Sequence, residues 1–163
     1  MHVDIRRPCP DDLPSFNATL NQICREGTYL GCSGGFSLET HRRFLARVLE
    51  MGYPQLVAVD AGGVVGWCDI VPRAEQWAVH IGRLGMGLLP GYRGLGFGGR
   101  LLGECLELAR RFGLEKAELE VFADNPRAIR LYQRFGFVIE GQRRNARKRD
   151  GIYQDALQMA LTL

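Results

Sequence analysis

Two groups of residues in this chain of 163 have the types and spacing to do chemistry. The first is Pro90-Gly91-Tyr92-Arg93-Gly94-Leu95-Gly96-Phe97-Gly98-Gly99, which stands between a strand-like run and an amphipathic helical one. The first turn of a helix carries unpaired N–H groups and a partial positive charge. Glycines at its entry let the backbone close around an anion, commonly a phosphate. Arg93 adds a cation at the mouth. The chemistry implied is binding of a phosphorylated ligand. No Gly-Lys-Ser/Thr is present, so the run is not a P-loop. Gly94, Gly96 and Gly99 have the spacing of a dinucleotide fingerprint, with Glu115 or Glu118 about 20 residues on. That run comes after three antiparallel-looking strands, which disfavours the dinucleotide reading. The second group is Asn125 and Tyr132, seven residues apart in a helical run and so near one face. They can hold a ligand and donate a proton. They can equally be a helix cap and core packing.

Groups suited to moving a proton from a substrate are scattered. His80 falls in a strand-like run and has a useful intrinsic pKa, although a strand histidine also has structural uses. Glu26, Asp69, Glu75 and Glu120 are other candidates. Asp155 has a more specific argument. If Asp150-Gly151 is a two-residue turn, Asp155 shares a strand face with Tyr153, Leu157, Met159 and Leu161. A carboxylate on an apolar face needs a partner or a role, either a buried ion pair or the substrate side of the sheet.

The elements that must position these residues follow from periodicity and punctuation. Residues 2 to 7 read as a strand. A helix starting at Pro10-Asp11-Asp12-Leu13 runs to about Arg25, and Gly27 to Gly35 reads as a loop. Ser37 is a plausible N-cap for an apolar stripe that ends at Gly52. Gln55 to Asp60 and Val64 to Val71 form a hairpin around Ala61-Gly62-Gly63. A long strand runs from about Trp77 to Leu89, with Gly82, Gly85 and Gly87 marking a bulge or a close approach. Phe97 to Phe112 is helical, Lys116 to Phe122 a strand, and Asp124 to Phe135 a helix. Phe137 to Arg149 and Ile152 to Leu161 close the chain as a hairpin. The order is β-α-α-β-β-β-α-β-α-β-β, in a single domain over 1–163.

Composition narrows the class. At 46% apolar and 24% charged the chain has the make-up of a soluble globular domain. No apolar run reaches a membrane span, and the first residues do not read as a secretory signal. The five cysteines, Cys9, Cys24, Cys32, Cys68 and Cys105, are odd in number and form no CxxC pair. Reduced cytoplasmic thiols are expected, with neither a disulfide framework nor a thiolate metal site. The net charge of +3 suits an anionic cofactor and does not by itself imply nucleic acid. Arg143 to Arg149 is the one basic cluster, and strand alternation splits it between two faces, so a solvated edge is expected.

Arg93-x-x-Gly96-x-Gly98 resembles the R/Q-x-x-G-x-G/A signature of GNAT acyltransferases. Leu84 to Pro90 resembles that family's central bulged strand. Asn125 to Phe137 resembles its second motif, N-x-x-A-x-x-x-Y-x-x-x-G-F. The two motifs lie about 30 residues apart in the right order, and the strand order is similar as well. The resemblance implies an α+β, three-layer fold with a mixed, mostly antiparallel seven-stranded sheet, splayed between its fourth and fifth strands. It implies acetyl-CoA as co-substrate and no metal. Amides of Gly94, Leu95, Gly96, Phe97, Gly98 and Gly99 would hold the pyrophosphate beside Arg93. Backbone groups of Met86, Gly87 and Leu88 would pair with the pantetheine arm, and the Leu88 N–H would polarise the thioester carbonyl. Asn125 would bond the same arm, and Tyr132 would act as general acid. Glu26, His80 and Asp155 remain the substrate-side candidates. The implied acceptor is a small-molecule or amino-acid amine in a bacterial cytoplasm, with a homodimer as the possible assembly and no membrane or nucleic-acid partner. A protein N-terminus or ribosomal protein as acceptor, and a non-catalytic acyl-CoA-binding module, are the alternatives.

Overall fold

The computed structural model describes residues 2–32 and 34–163. Ser33, inside the loop expected over 27–35, lies outside the described residues. The strands are β1 (Asp4–Arg6), β2 (Gln55–Asp60), β3 (Gly63–Pro72), β4 (Ile81–Leu88), β5 (Lys116–Phe122), β6 (Val138–Arg149) and β7 (Ile152–Thr162). The helices are α1 (Leu13–Glu26), α2 (Leu38–Met51), α3 (Phe97–Phe112) and α4 (Pro126–Arg134), with short 3-10 turns at Pro10–Asp12, Gln76–Ala78 and Pro90–Tyr92. The sheet runs β1-β2-β3-β4-β5-β7-β6, antiparallel except for the β4–β5 pair.

Side-chain alternation in the central strands builds two cores. Leu56, Ala58, Cys68 and Ile70 face α3, whose Leu101, Leu102, Cys105, Leu106 and Ala109 are buried at helical spacing. Tyr132 and Leu131 of α4 join the same core. Val57, Val64 and Trp67 point the other way, onto Phe16 and Ile23 of α1. α2 lies on α1, with the Phe16 and His41 rings 4.6 Å apart. Each fully buried leucine contributes about 1.5–3 kcal/mol.

The feature that positions the site is where β4 leaves β5. They pair only from Ile81–Lys116 to Arg83–Glu118 and then diverge. The expected splay is therefore present. The expected bulge is not. The β3–β4 register runs unbroken from Gly66–Leu88 to Pro72–Gly82. Two of the three β4 glycines are explained by close approach instead: a Cβ on Gly87 would stand 2.7 Å from the Trp67 ring, and one on Gly82 would collide with Ile70.

Three other expectations are corrected. β4 starts at Ile81, not near Trp77. The chain from Arg73 to His80 is a return loop, in which Ala78 donates to the Glu75 carbonyl and the Trp77 side chain stands 75% exposed. Trp77 and Val79 supplied the apolar pattern of a strand without its burial. Second, Cys24 and Cys32 form a disulfide, with Cα atoms 5.3 Å apart. α1 stops at Gly27, whose φ of 63° is costly for other residues, and the chain doubles back onto the helix end. The total of five cysteines hid the pair, because Cys9, Cys68 and Cys105 are free. Third, the basic cluster is not simply a solvated edge. Arg147 donates to the carbonyls of Gly27 and Thr28, and Arg149 to those of Gly27 and Glu26. The end of the β6–β7 hairpin thus grips the start of the α1–α2 loop.

Candidate active site

The gap between β4 and β5 opens into a cavity of about 450 Å³. Leu84 to Leu88 form one wall, Leu119 to Val121 the other, and α4 closes it with Asn125, Ala128, Leu131 and Tyr132. Tyr29 and Leu30 of the α1–α2 loop and Gly94, Gly96, Gly98 and Gly99 of the glycine loop complete the lining.

The glycine loop is shaped to receive an anion. Gly94 and Gly96 have φ of 78° and 88°, in the left-handed region that favours glycine. Gly96 is the N-cap of α3, and its carbonyl accepts from Arg100. Among the described residues, no amide from Gly94 to Gly99 donates to a protein acceptor. Such a run of free amides at a helix start has the form of a cradle for an anion such as a diphosphate. Arg93 is placed differently from the expectation. Its Nε donates to the Leu88 carbonyl at 2.7 Å, its Nη2 pairs with Glu26 at 2.9 Å, and its guanidinium lies over the Tyr29 ring. Arg93 therefore links the loop, β4 and α1. The cation over the cradle is Arg127, whose Nη2 stands 2.6 Å from where a Gly94 Cβ would be. Sequence reasoning missed it, although it sits within the Asn125 to Phe137 run.

Strand alternation sorts the backbone groups of β4. Leu89 N–H donates to Val65 on β3, so Leu88 and Met86 turn their N–H groups toward the gap. Gly87, between them, turns its N–H to β3. The expectation that all three are free is narrowed to Met86 and Leu88. Across the gap, Asn125 caps α4 by accepting from Ala128 N–H, and also lines the cavity. The cap and binding readings coexist, since the cap uses only the side-chain oxygen. Tyr132 is 8% exposed, and burial raises its pKa well above the usual phenol value. At neutral pH its hydroxyl keeps its proton.

The substrate-side candidates separate. Glu26 is drawn in as the partner of Arg93. His80 is corrected: it lies in an exposed turn before β4, outside the cavity lining, and its carbonyl accepts from Glu115 and Lys116. Asp155 also lies outside the lining. The β6–β7 register shifts between Arg143 and Arg147, where Asn145 has φ 50°. The Asp155 carboxylate accepts from Asn145 N–H and Gln142 Nε2, both at 2.8 Å, which holds its pKa below the usual range. The bulge opens that stretch of β7, so Asp155 faces an irregular strand rather than an apolar layer. Glu75 is exposed and paired with Arg73. Glu120 lines the cavity and is paired with Arg143.

Known proteins resemble this chain in sequence and in fold. Residues 17–137 match the family model described as the acetyltransferase (GNAT) family. The L-amino acid N-acetyltransferase AaaT of Escherichia coli is 34% identical over 110 residues, covering 67% of this chain and 68% of that protein. The L-methionine sulfoximine/L-methionine sulfone acetyltransferase of Pseudomonas aeruginosa is 29% identical over 169 residues, covering 100% of this chain and 96% of that one. The Salmonella typhimurium protein yncA, solved with its cofactor acetyl-CoA, superposes with a TM-score of 0.92 at 21% identity, covering 100% of this chain and 95% of that one.

Proposed function

The chain belongs to the GNAT family of acetyltransferases, and from that premise we propose that it moves the acetyl group of acetyl-CoA directly to the primary amine of a small acceptor of the amino-acid class. The observation that carries the reading is a single cavity that opens between two diverging strands and is lined by both loops. A run of free amides beside Arg127 and the loop residues Tyr29 and Leu30 both belong to its wall. The rest of the wall suits a pantetheine arm. Leu88 and Met86 offer N–H groups from β4, and Asn125, whose side-chain oxygen caps α4, lines the same cavity.

Acetyl-CoA supplies an activated acyl carbon on a thiol leaving group. The chain supplies the rest. The cradle fixes the diphosphate. The Leu88 N–H stabilises the carbonyl oxygen as it gains charge, worth roughly 2.7–4 kcal/mol for one well-placed donor. Tyr132, protonated through its burial, donates a proton to the departing sulfur. A cavity of about 450 Å³ has the size of a small-molecule site, and AaaT and the methionine sulfoximine enzyme are named for acceptors of that kind. A reaction that draws on acetyl-CoA fits a cytoplasmic enzyme.

The test is an acceptor screen by free-thiol release, with L-amino acids, methionine sulfoximine, polyamines and an alanine-terminated peptide. The reading expects the highest kcat/KM among the amino-acid class. A preference for the peptide would move the assignment to protein N-termini, and binding of acetyl-CoA without turnover would make the chain a binding module.

A further inference from the structure

The site described so far holds an acid and no base. Glu26 and Glu120 are each committed to an arginine. The central strand β4 reads Ile-Gly-Arg-Leu-Gly-Met-Gly-Leu and carries no carboxylate.

The neighbouring strand does. Asp69 of β3 stands directly opposite Gly85 of β4. Gly85 lines the cavity, and Asp69 lies behind it, outside the lining itself: a Cβ on Gly85 would lie 3.4 Å from Asp69 Oδ1. The missing side chain leaves a notch between the cavity and the carboxylate. Cys68 and Asp69 are successive strand residues and so face opposite sides of the sheet. Cys68 faces the layer that holds Tyr132, and Asp69 the α1 layer that carries the acceptor loop. We propose that Asp69 is the general base, taking the proton of the acceptor ammonium at Oδ1 through the notch at Gly85. The proposal rests on the acetyl-transfer reading and names the group that reading lacked.

The electrostatics fit the task. Among the described residues Asp69 has no cationic partner. Gln55 Nε2 donates to Asp69 Oδ2 at 3.3 Å. Burial pushes its carboxyl up to about 7, against smaller opposing effects of Gln55 from β2 and Trp67 from its own strand. Cys68 is the other titratable neighbour, and its thiol is itself pushed up by burial and stays neutral. A base poised near the working pH has the best balance of availability and strength. Gln55 is 0% exposed, and its Oε1 has no hydrogen-bond partner. Once Asp69 takes a proton it becomes a donor, and a turn of the Gln55 amide presents that oxygen to it. Gln55 can therefore serve both protonation states.

The step balances as follows. Asp69 accepts one proton from the ammonium, which frees the nitrogen lone pair. The C–N bond forms as the C–S bond breaks, and Tyr132 gives its phenolic proton to the sulfur. The second proton shed by the nitrogen restores Tyr132, and Asp69 releases its own to solvent.

The experiment compares Asp69→Asn, Gln55→Met and Glu120→Gln with the wild type. In the wild type, kcat/KM for the acceptor should rise with an inflection near 7. Asp69→Asn should lower kcat about a hundredfold or more, leave acetyl-CoA affinity unchanged, and abolish that inflection. With a weakly basic amine, already neutral at the assay pH, the defect should shrink. Gln55→Met should move the inflection upward, because Gln55 favours the ionised form. Glu120→Gln should keep the inflection. Stability gives a reading independent of turnover. A carboxyl whose folded pKa is raised makes the fold lose stability as pH climbs from the unfolded value to the folded one. Asp69→Asn should therefore raise Tm above neutral pH, whereas a structural carboxylate would lower it. An unchanged inflection in Asp69→Asn, its loss in Glu120→Gln instead, or a lowered Tm with normal turnover overturns the proposal. Wild-type silence toward every amine overturns the acetyl-transfer reading itself.

Discussion

Tyr132 reaches the cavity from α4 with its ring against Phe137, the centroids 5.7 Å apart. That packing fixes the ring, so removing only the hydroxyl tests chemistry and not shape. Tyr132→Phe should lower kcat about a hundredfold while leaving the Kd for acetyl-CoA within twofold by calorimetry. Equal kcat in the two proteins contradicts the acid role. At this scale the sequence was informative where a residue belongs to a spaced motif, as Asn125 and Tyr132 do. It was misleading where the role depends on a partner far along the chain. Arg93 meets Glu26 across 67 positions, and no local pattern reports that contact. Asp69 looked like one carboxylate among several until the strand register put it opposite Gly85.

Elements place these residues by how they start, stop and deviate. Gly96 starts α3 at φ 88°, and the space where a Cβ would stand is open to 4 Å, so an added methyl meets strain and no clash. Gly96→Ala should cost about 1–2 kcal/mol of backbone strain. Its signature is acetyl-CoA affinity weakened about tenfold with little change in kcat, read by equilibrium binding; unaltered affinity would remove the cradle from the account. The β6 bulge has a different reach. Asp155 holds Asn145, and beyond the bulge Arg147 lies 3.7 Å over the Phe122 ring and grips Gly27 and Thr28. Asp155→Asn and Arg147→Ala should each raise the acceptor KM several-fold and speed proteolysis within residues 27–36, with acetyl-CoA affinity preserved. Loss of acetyl-CoA affinity instead would place the bulge on the cofactor side. The bounds of α3 and β5 were legible to the residue, because amphipathic period and glycine stops coincide there. The start of β4 was not, because an exposed Trp77 mimics a strand residue.

Across the whole molecule, two layers pack on the two faces of one sheet. On the proposed reading α3 and α4 carry the cofactor side, and α1 with its loop the acceptor side. The Cys24–Cys32 bond ties that loop to α1 without touching the cradle. Closing so short a loop stabilises the fold by about 2–3 kcal/mol in the chain-entropy account. Reduction, or Cys32→Ser, should lower Tm by several degrees and raise the acceptor KM more than the acetyl-CoA KM. Equal effects on both would deny the bond any role at the acceptor end. The element order could be read in advance, because each element carries its own periodicity, and the layered sheet was implied by the family resemblance. The hairpin-to-loop grip could not, since it joins segments that only the folded sheet brings together, and the Cys24–Cys32 pair, eight residues apart, was hidden by the odd cysteine count. The central claim is that the two faces meet at one acyl carbon, and single-turnover transfer tests it most directly. The protein is mixed with labelled acetyl-CoA and an L-amino acid, and free thiol and acetylated product are counted together. The account predicts one N-acetyl product for each thiol released, with no label retained on the protein. Thiol release without acetylated product, or label held on a protein cysteine, would contradict it.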